Sequence, residues 1–147
     1  MRLNVMVVDD ETPICEWLVY CIQKSSPDYE VSSAANGEEA YARILERKPD
    51  LVFTDIRMPG MDGLTAIEKL RPILENCQFI IFTAYEDFSY AKKALELGVM
   101  AYISKPVLKN EVIEKVSLAV KRLKERENRE MGKEKRNVSE ISAKEHS

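Results

Sequence analysis

Residues 51–63 read LVFTDIRMPGMDG. Leu51, Val52 and Phe53 form an apolar run behind Pro49-Asp50, the pattern of a buried strand. Asp55 stands where that strand should run out. MPGMDG, with Pro59, Gly60 and Gly63, is a loop by composition. A carboxylate at the carboxyl end of a central strand is costly to bury, and it sits where open α/β sheets carry their chemistry. Taken alone, Asp55 has an ordinary alternative as a helix N-cap or an exposed turn residue. The segments on either side bear on that choice.

Upstream, Asn4–Val8 (NVMVV) is a short apolar run ending in Asp9-Asp10, a first strand with acids at its carboxyl end. Thr12-Pro13 marks a helix start, a hydroxyl N-cap followed by proline at the first position. Ile14, Leu18, Cys21 and Ile22 recur at helical spacing. Tyr29–Ala35 reads as a second strand and Asn36-Gly37 as a turn. Ala40, Ile44 and Leu45 then give the inward face of a second helix. Downstream of the loop, Leu64, Ile67, Leu70 and Leu74 predict a third helix disturbed at Pro72. Gln78–Phe82 (QFIIF) is a fourth strand ending in Thr83. Asp87 is a candidate N-cap for a fourth helix carrying Ala91, Ala94 and Leu95, closed by Gly98. Ala101–Ser104 is a short fifth strand followed by Lys105-Pro106. The last helix starts near Lys109, with Val112, Val116, Ala119, Val120 and Leu123 inward. Beyond Leu123 the apolar pattern thins, which predicts fraying or disorder.

Five strands alternating with five helices predict an α/β fold, a doubly wound parallel sheet covered on both faces. The polar residues of interest all fall at strand ends: Asp9 and Asp10, Asp55, Thr83 and Lys105. Strands one and three flank the switch point of such a sheet, so Asp10 and Asp55 are expected to be neighbours.

Composition narrows the chemistry. The 147 residues suffice for one domain, expected over residues 1–123, with 124–147 as a charged helical extension or disordered tail. Hydrophobic residues make up 45% and charged residues 32%, and no apolar run approaches membrane-spanning length, so no membrane contact is expected. Residues 121–147 hold nine Lys/Arg and six Asp/Glu, net +3, which leaves −6 on the first 120 residues. A mixed tail of this kind reads as a solvated helix or a disordered end, so nucleic acid is not an expected partner of this segment. Cys15, Cys21 and Cys77 have no metal-ligand spacing. Their odd number, with no secretion signal, predicts reduced thiols and a cytoplasmic location. The single histidine, His146, lies in the tail, which argues against histidine-based triads and histidine-rich metal sites.

Three carboxylates in one cleft repel each other and call for a cation. Oxygen ligands with open positions suit Mg²⁺, which keeps waters and accepts phosphate oxygens. Lys105 adds a point positive charge and Thr83 a hydroxyl donor. Together these describe a site for phosphoryl transfer to a carboxylate nucleophile.

In that order, DD after strand one, D with MPGMDG after strand three, TA after strand four and KP after strand five resemble the receiver domain of bacterial two-component response regulators. The likeness covers Leu3 to about Leu123. It implies a flavodoxin-like sheet of order 2-1-3-4-5 and a phosphoacceptor switch that catalyses its own phosphorylation. By the resemblance, Asp55 accepts the phosphoryl group from a phosphohistidine on a sensor histidine kinase. Asp10 binds Mg²⁺ directly, Asp9 mainly through water, and Asp55 and the backbone carbonyl of Arg57 complete the protein ligands. Lys105 pairs with phosphoryl oxygens, and its bond to Pro106 is cis. Thr83 swings toward the phosphoryl group and Tyr102 turns inward behind it. The face made by helix four, strand five and helix five then changes, with a phosphorylation-dependent homodimer as one outcome. Arg57 and Tyr85, two residues after Asp55 and Thr83, are expected to tune dephosphorylation. TAYEDFSYAKKALELGVMAYISKPV is most like receivers that precede AraC-type helix-turn-helix output domains, although residues 124–147 cannot supply two helices with a tight turn. Two other classes compete. A haloacid-dehalogenase-type phosphatase would want DxD after strand one, where Asp9 is followed two positions later by Glu11. A receiver fold that only binds partners would lack an acid, the lysine or the threonine.

Overall fold

A computed structural model describes residues 2–84 and 88–145, with side chains described through residue 133. The elements run β1 (Leu3–Val8), α1 (Thr12–Ser25), β2 (Tyr29–Ala34), α2 (Gly37–Glu46), β3 (Leu51–Thr54), α3 (Gly63–Leu70), β4 (Gln78–Thr83), α4 (Phe88–Glu96), β5 (Ala101–Ser104) and α5 (Lys109–Glu145). All strand pairs are parallel, in the order β2-β1-β3-β4-β5. This is the doubly wound, flavodoxin-like sheet expected. The apolar runs of β1, β3 and β4 are unbroken because both faces of a parallel sheet are covered.

Alternation along the strands sorts the core into two layers. Val5, Val7, Phe53, Ile80 and Phe82 meet Leu18 and Ile22 of α1 and Val112, Val116 and Ala119 of α5. Met6, Val8, Val52, Phe79 and Ile81 meet Ile44 of α2, Ile67 and Leu70 of α3 and Ala94 of α4. The three cysteines are free and buried. No helix among the described residues is long and apolar enough to cross a membrane.

Local chemistry sets several element ends. Asn36 caps α2 by accepting from the amide of Glu39 at 2.8 Å, while the Glu39 carboxylate accepts from the Ala35 amide at 3.1 Å. Asp62 caps α3 by accepting from Thr65 at 2.8 Å. Gly98, at φ +71°, ends α4 with the paired bonds Val99 N–H to Ala94 and Gly98 N–H to Leu95, the arrangement that a left-handed C′ residue permits.

Other expectations are corrected. Thr12 is the first residue of α1 and not its cap. Glu11 holds the cap position, without a side-chain cap bond, and its amide donates to Asp9. Leu45 and Leu95 are exposed, since the inward faces of α2 and α4 are narrower than the spacing suggested. α3 stops at Leu70, two residues before Pro72, and Leu74 reaches the core from the turn that follows. Past Leu123, where a helical extension or a disordered tail was expected, the backbone continues as helix through Glu145. The proposed cap Asp87 lies outside the described residues.

Candidate phosphoacceptor site

The ladder of the sheet delivers three acids to one point. Asp9 N–H donates to Ala34 at 3.1 Å and Asp55 N–H to Val8 at 2.9 Å, so each acid sits one step beyond its strand against the neighbouring strand's end. Asp9 and Asp55 are buried and Asp10 is exposed, and carboxylate oxygens of all three lie within 4.8 Å of one another. Lys105 leaves β5 on the same side. Its amide donates to the Thr83 carbonyl at 2.8 Å, and its ammonium bridges Asp9 Oδ2 at 3.2 Å and Asp55 Oδ2 at 2.9 Å. The ammonium also lies 5.3 Å from the centre of the Phe82 ring, a cation–π distance.

The remaining carboxylate oxygens are held by the main chain. Asp9 Oδ1 accepts from Glu11 N–H at 3.0 Å, and Asp55 Oδ1 accepts from Ile56 N–H at 2.7 Å. Burial pushes the Asp9 carboxyl up to about 6, and the nearby Asp55 charge adds to this. The Glu11 amide and Lys105 oppose it without cancelling it. For Lys105, burial pulls the pKa down, but Asp55 and Asp9 outweigh it and the net direction is up. Among the described residues, no buried side-chain nitrogen or oxygen lacks a partner. The site is therefore a satisfied ion cluster, with lysine neutralising part of the acid charge.

The donor set suits a hard divalent cation. Every candidate ligand is an oxygen, and the exposure of Asp10 leaves room for water in the coordination shell.

Thr83 is fully buried at the end of β4, in register with Ser104. Tyr102, opposite Ile81, is half-buried against the α2–α4 layer. Lys105-Pro106 is a cis peptide. Arg57 is exposed on the loop after β3. Tyr85 lies outside the described residues.

Several contributors were not legible beforehand. Thr54 Oγ1 donates to the Asp55 carbonyl at 2.9 Å. Gly63 approaches the same carbonyl so closely that a Cβ there would sit 2.0 Å from it. The Asp-Gly pair opening α3 was the available signal for this contact. Next to Lys105, Ile14, Trp17, Pro106 and Val107 line an apolar cleft of about 250 Å³, and Trp17 is 38% exposed. A large aromatic beside the inward stripe of α1 was the available signal for this cleft.

Comparison with known proteins bears on the same residues. The family model described as "Response regulator receiver domain" matches residues 5–117. The uncharacterized transcriptional regulatory protein YesN of Bacillus subtilis (strain 168) is 34% identical over 122 residues, covering 82% of this chain but only 33% of YesN. Sporulation initiation phosphotransferase F of the same organism is 34% identical over 106 residues, covering 72% of this chain and 84% of that protein. Among solved structures, the REC domain of AraT, a response regulator from Geobacillus stearothermophilus, superposes with a TM-score of 0.79 at 36% identity, covering 86% of this chain and 99% of the other.

Proposed function

This chain belongs to the response regulator receiver domain family, and on that premise we propose that Asp55 takes a phosphoryl group from a sensor histidine kinase. As a receiver domain it is a regulatory phosphoacceptor and not a conventional enzyme. The observation that carries the assignment to Asp55 is the bridge from Lys105 to both Asp9 and Asp55, beside the exposed Asp10. In the proposed transfer, an Asp55 oxygen attacks phosphorus as the bond from phosphorus to the partner's imidazole nitrogen breaks. The imidazole leaves with that electron pair. Mg²⁺ held by Asp9, Asp10, Asp55 and the Arg57 carbonyl would neutralise charge on the transferred group. Lys105, which already reaches both Asp9 and Asp55, is placed to turn from Asp9 to the phosphoryl oxygens. Thr83, whose carbonyl already holds the Lys105 amide, supplies a hydroxyl from the end of β4.

A phosphohistidine must reach Asp55 across the rim beside Lys105, and the apolar cleft of Ile14, Trp17, Pro106 and Val107 gives a kinase helix a place to dock. Trp17→Ala should slow transfer from a phosphorylated kinase about thirtyfold, since an aromatic anchor contributes about 2 kcal/mol. Labelling by acetyl phosphate, too small to need the rim, should change little. Equal transfer rates in the two proteins would place the kinase elsewhere.

The face formed by α4, β5 and α5 is proposed as the one that changes. Phe88 and Leu95, both exposed and one heptad apart on α4, offer it apolar contacts for a second copy or an output partner. Light scattering of beryllofluoride-treated protein reads out self-association. Arg57, exposed beside the site, is proposed together with Tyr85 to shield the acyl phosphate from water. Arg57→Asn with Tyr85→Glu should then speed phosphate loss several-fold, and an unchanged decay would remove both residues from that role. A transcriptional output of AraC type belongs to the same proposal. Its transcriptional part is supported by YesN's being called a transcriptional regulatory protein, of which this chain spans 33%. The full-length reading frame tests it.

A further inference from the structure

Arg71, just past α3, reaches the far end of α4. Its Nε donates to the Leu97 carbonyl at 2.8 Å and its Nη2 to the Gly98 carbonyl. Its Nη1 donates to the Cys77 carbonyl at 3.2 Å, at the entry to β4. The guanidinium lies over the Phe79 ring, 4.7 Å from its centre. One rigid fork thus ties together the end of α3, the start of β4 and the end of α4. A fixed cation at a helix carboxyl end is also favoured by the helix dipole. Gly98 leaves room for this approach, since a Cβ there would lie 3.2 Å from Nη2, closer than ordinary contact. Ala94 is buried in the core, and Leu97 and Val99 pack against the same layer.

The other end of α4 is held differently. Phe88 is 83% exposed, and Ala84 and Ser89 are exposed. Tyr90, one residue further on, packs against the core, so the exposed part is the very start of the helix, the end nearer in sequence to Thr83.

We propose that Arg71 is a positioning residue of the switch, holding the carboxyl end of α4 as a pivot. A pull at Thr83 then swings the amino end of the helix and does not slide the whole helix. The proposal rests on the reading above that phosphorylation draws in Thr83. A pivot makes displacement largest at Phe88 and smallest at Leu97 and Gly98. Within the α4–β5–α5 face, the part of α4 that moves most on activation is therefore its first half, with its most exposed apolar side chain.

Hydrogen exchange on the full chain, with and without beryllofluoride and Mg²⁺, tests this. The amides of Leu97, Gly98, Val99 and Met100 all donate to main-chain carbonyls, so their exchange reports on the clamp. In the wild type, beryllofluoride should change exchange over residues 88–93 and leave 97–100 nearly unchanged. Arg71→Lys keeps the charge but loses the fork. Its four amides at 97–100 should exchange at least tenfold faster without ligand, and the beryllofluoride effect should spread to them. Arg71→Gln, which loses both the fork and the charge, should move the same amides in the same direction if Arg71→Lys does not fold. The pivot is overturned if the wild type changes as much at 97–100 as at 88–93, or if a folded variant exchanges there like the wild type. No beryllofluoride effect anywhere in α4 would instead overturn the switch reading and the pivot with it. Faster exchange in unliganded Arg71→Lys would then leave Arg71 as a static clamp.

Discussion

Lys105→Met is expected to cost the metal-free protein about 3 kcal/mol at neutral pH, the lower end of the range for breaking a buried ion pair. The side chains of Lys105, Asp9 and Asp55 are only 11%, 0% and 7% exposed, so removing the ammonium strands two neighbouring carboxylates with little water around them. The loss stays at the lower end because Asp9 can take up a proton. Its pKa is already raised to about 6 by burial. A carboxyl whose folded pKa is raised stabilises the fold when protonated. That contribution is complete below the unfolded value of about 4 and is lost as pH rises through about 6. Without metal, the wild type should therefore gain stability as pH falls from 7 toward 5. In Lys105→Met the opposing charge is gone, so the gain should begin at higher pH and recover most of the loss. Millimolar Mg²⁺ should recover it at neutral pH by binding only the folded state. Urea unfolding in EDTA and in Mg²⁺, from pH 5 to 8, measures all three. A loss of equal size at both ends of that range would mean that the acids are not what lysine compensates.

Gly63→Ala should be the other large effect. Its Cβ would lie 2.0 Å from the Asp55 carbonyl and 3.1 Å from Thr54 Oγ1, and the carbonyl is backbone that cannot turn aside. The Gly63 amide also holds the Ile56 carbonyl at 2.8 Å, so the start of α3 cannot withdraw without breaking that bond. A loss of about 3 kcal/mol is expected, at the upper end for overpacking. In whatever folds, Asp55 should be phosphorylated more slowly. Gly132→Ala is the control. Beyond its own stretch of helix nothing lies within 4 Å of its added Cβ, and alanine is the better helix former, so it should lose nothing. Urea midpoints of the two variants decide the matter. A Gly63→Ala midpoint equal to wild type would mean that the loop after β3 is looser than the close contact implies.

The central strands β1, β3 and β4 and the acids after β1 and β3 were legible in the sequence because parallel strands buried on both faces read as unbroken apolar runs, and a carboxylate after such a run stands out. Leu45 and Leu95 were misread for the opposite reason. On an amphipathic helix the residue beside the inward stripe looks the same in sequence whether its neighbour element covers it or not. Thr12 looked like a cap, but the sharp exit from β1 turns Glu11 N–H onto Asp9 and places the cap one residue earlier. Arg71 carried no signal at all. An arginine before Pro72 reads as a solvated helix end, and its partners Leu97 and Gly98 lie 26 and 27 residues away, beyond any local pattern. For the closeness of Gly63 to Asp55, the Asp-Gly pair at the start of α3 was a signal of a glycine-requiring turn, but the partner it approaches is set by how the loop closes.

The central claim is that Asp55 is the phosphoacceptor. Its most direct test is intact-mass analysis after incubation with acetyl phosphate and Mg²⁺, followed by peptide mapping. The wild type should gain a single phosphoryl group on the peptide containing Asp55, and Asp55→Asn should gain none. Equal labelling of Asp55→Asn, or a label mapping to another residue in the wild type, would contradict the account.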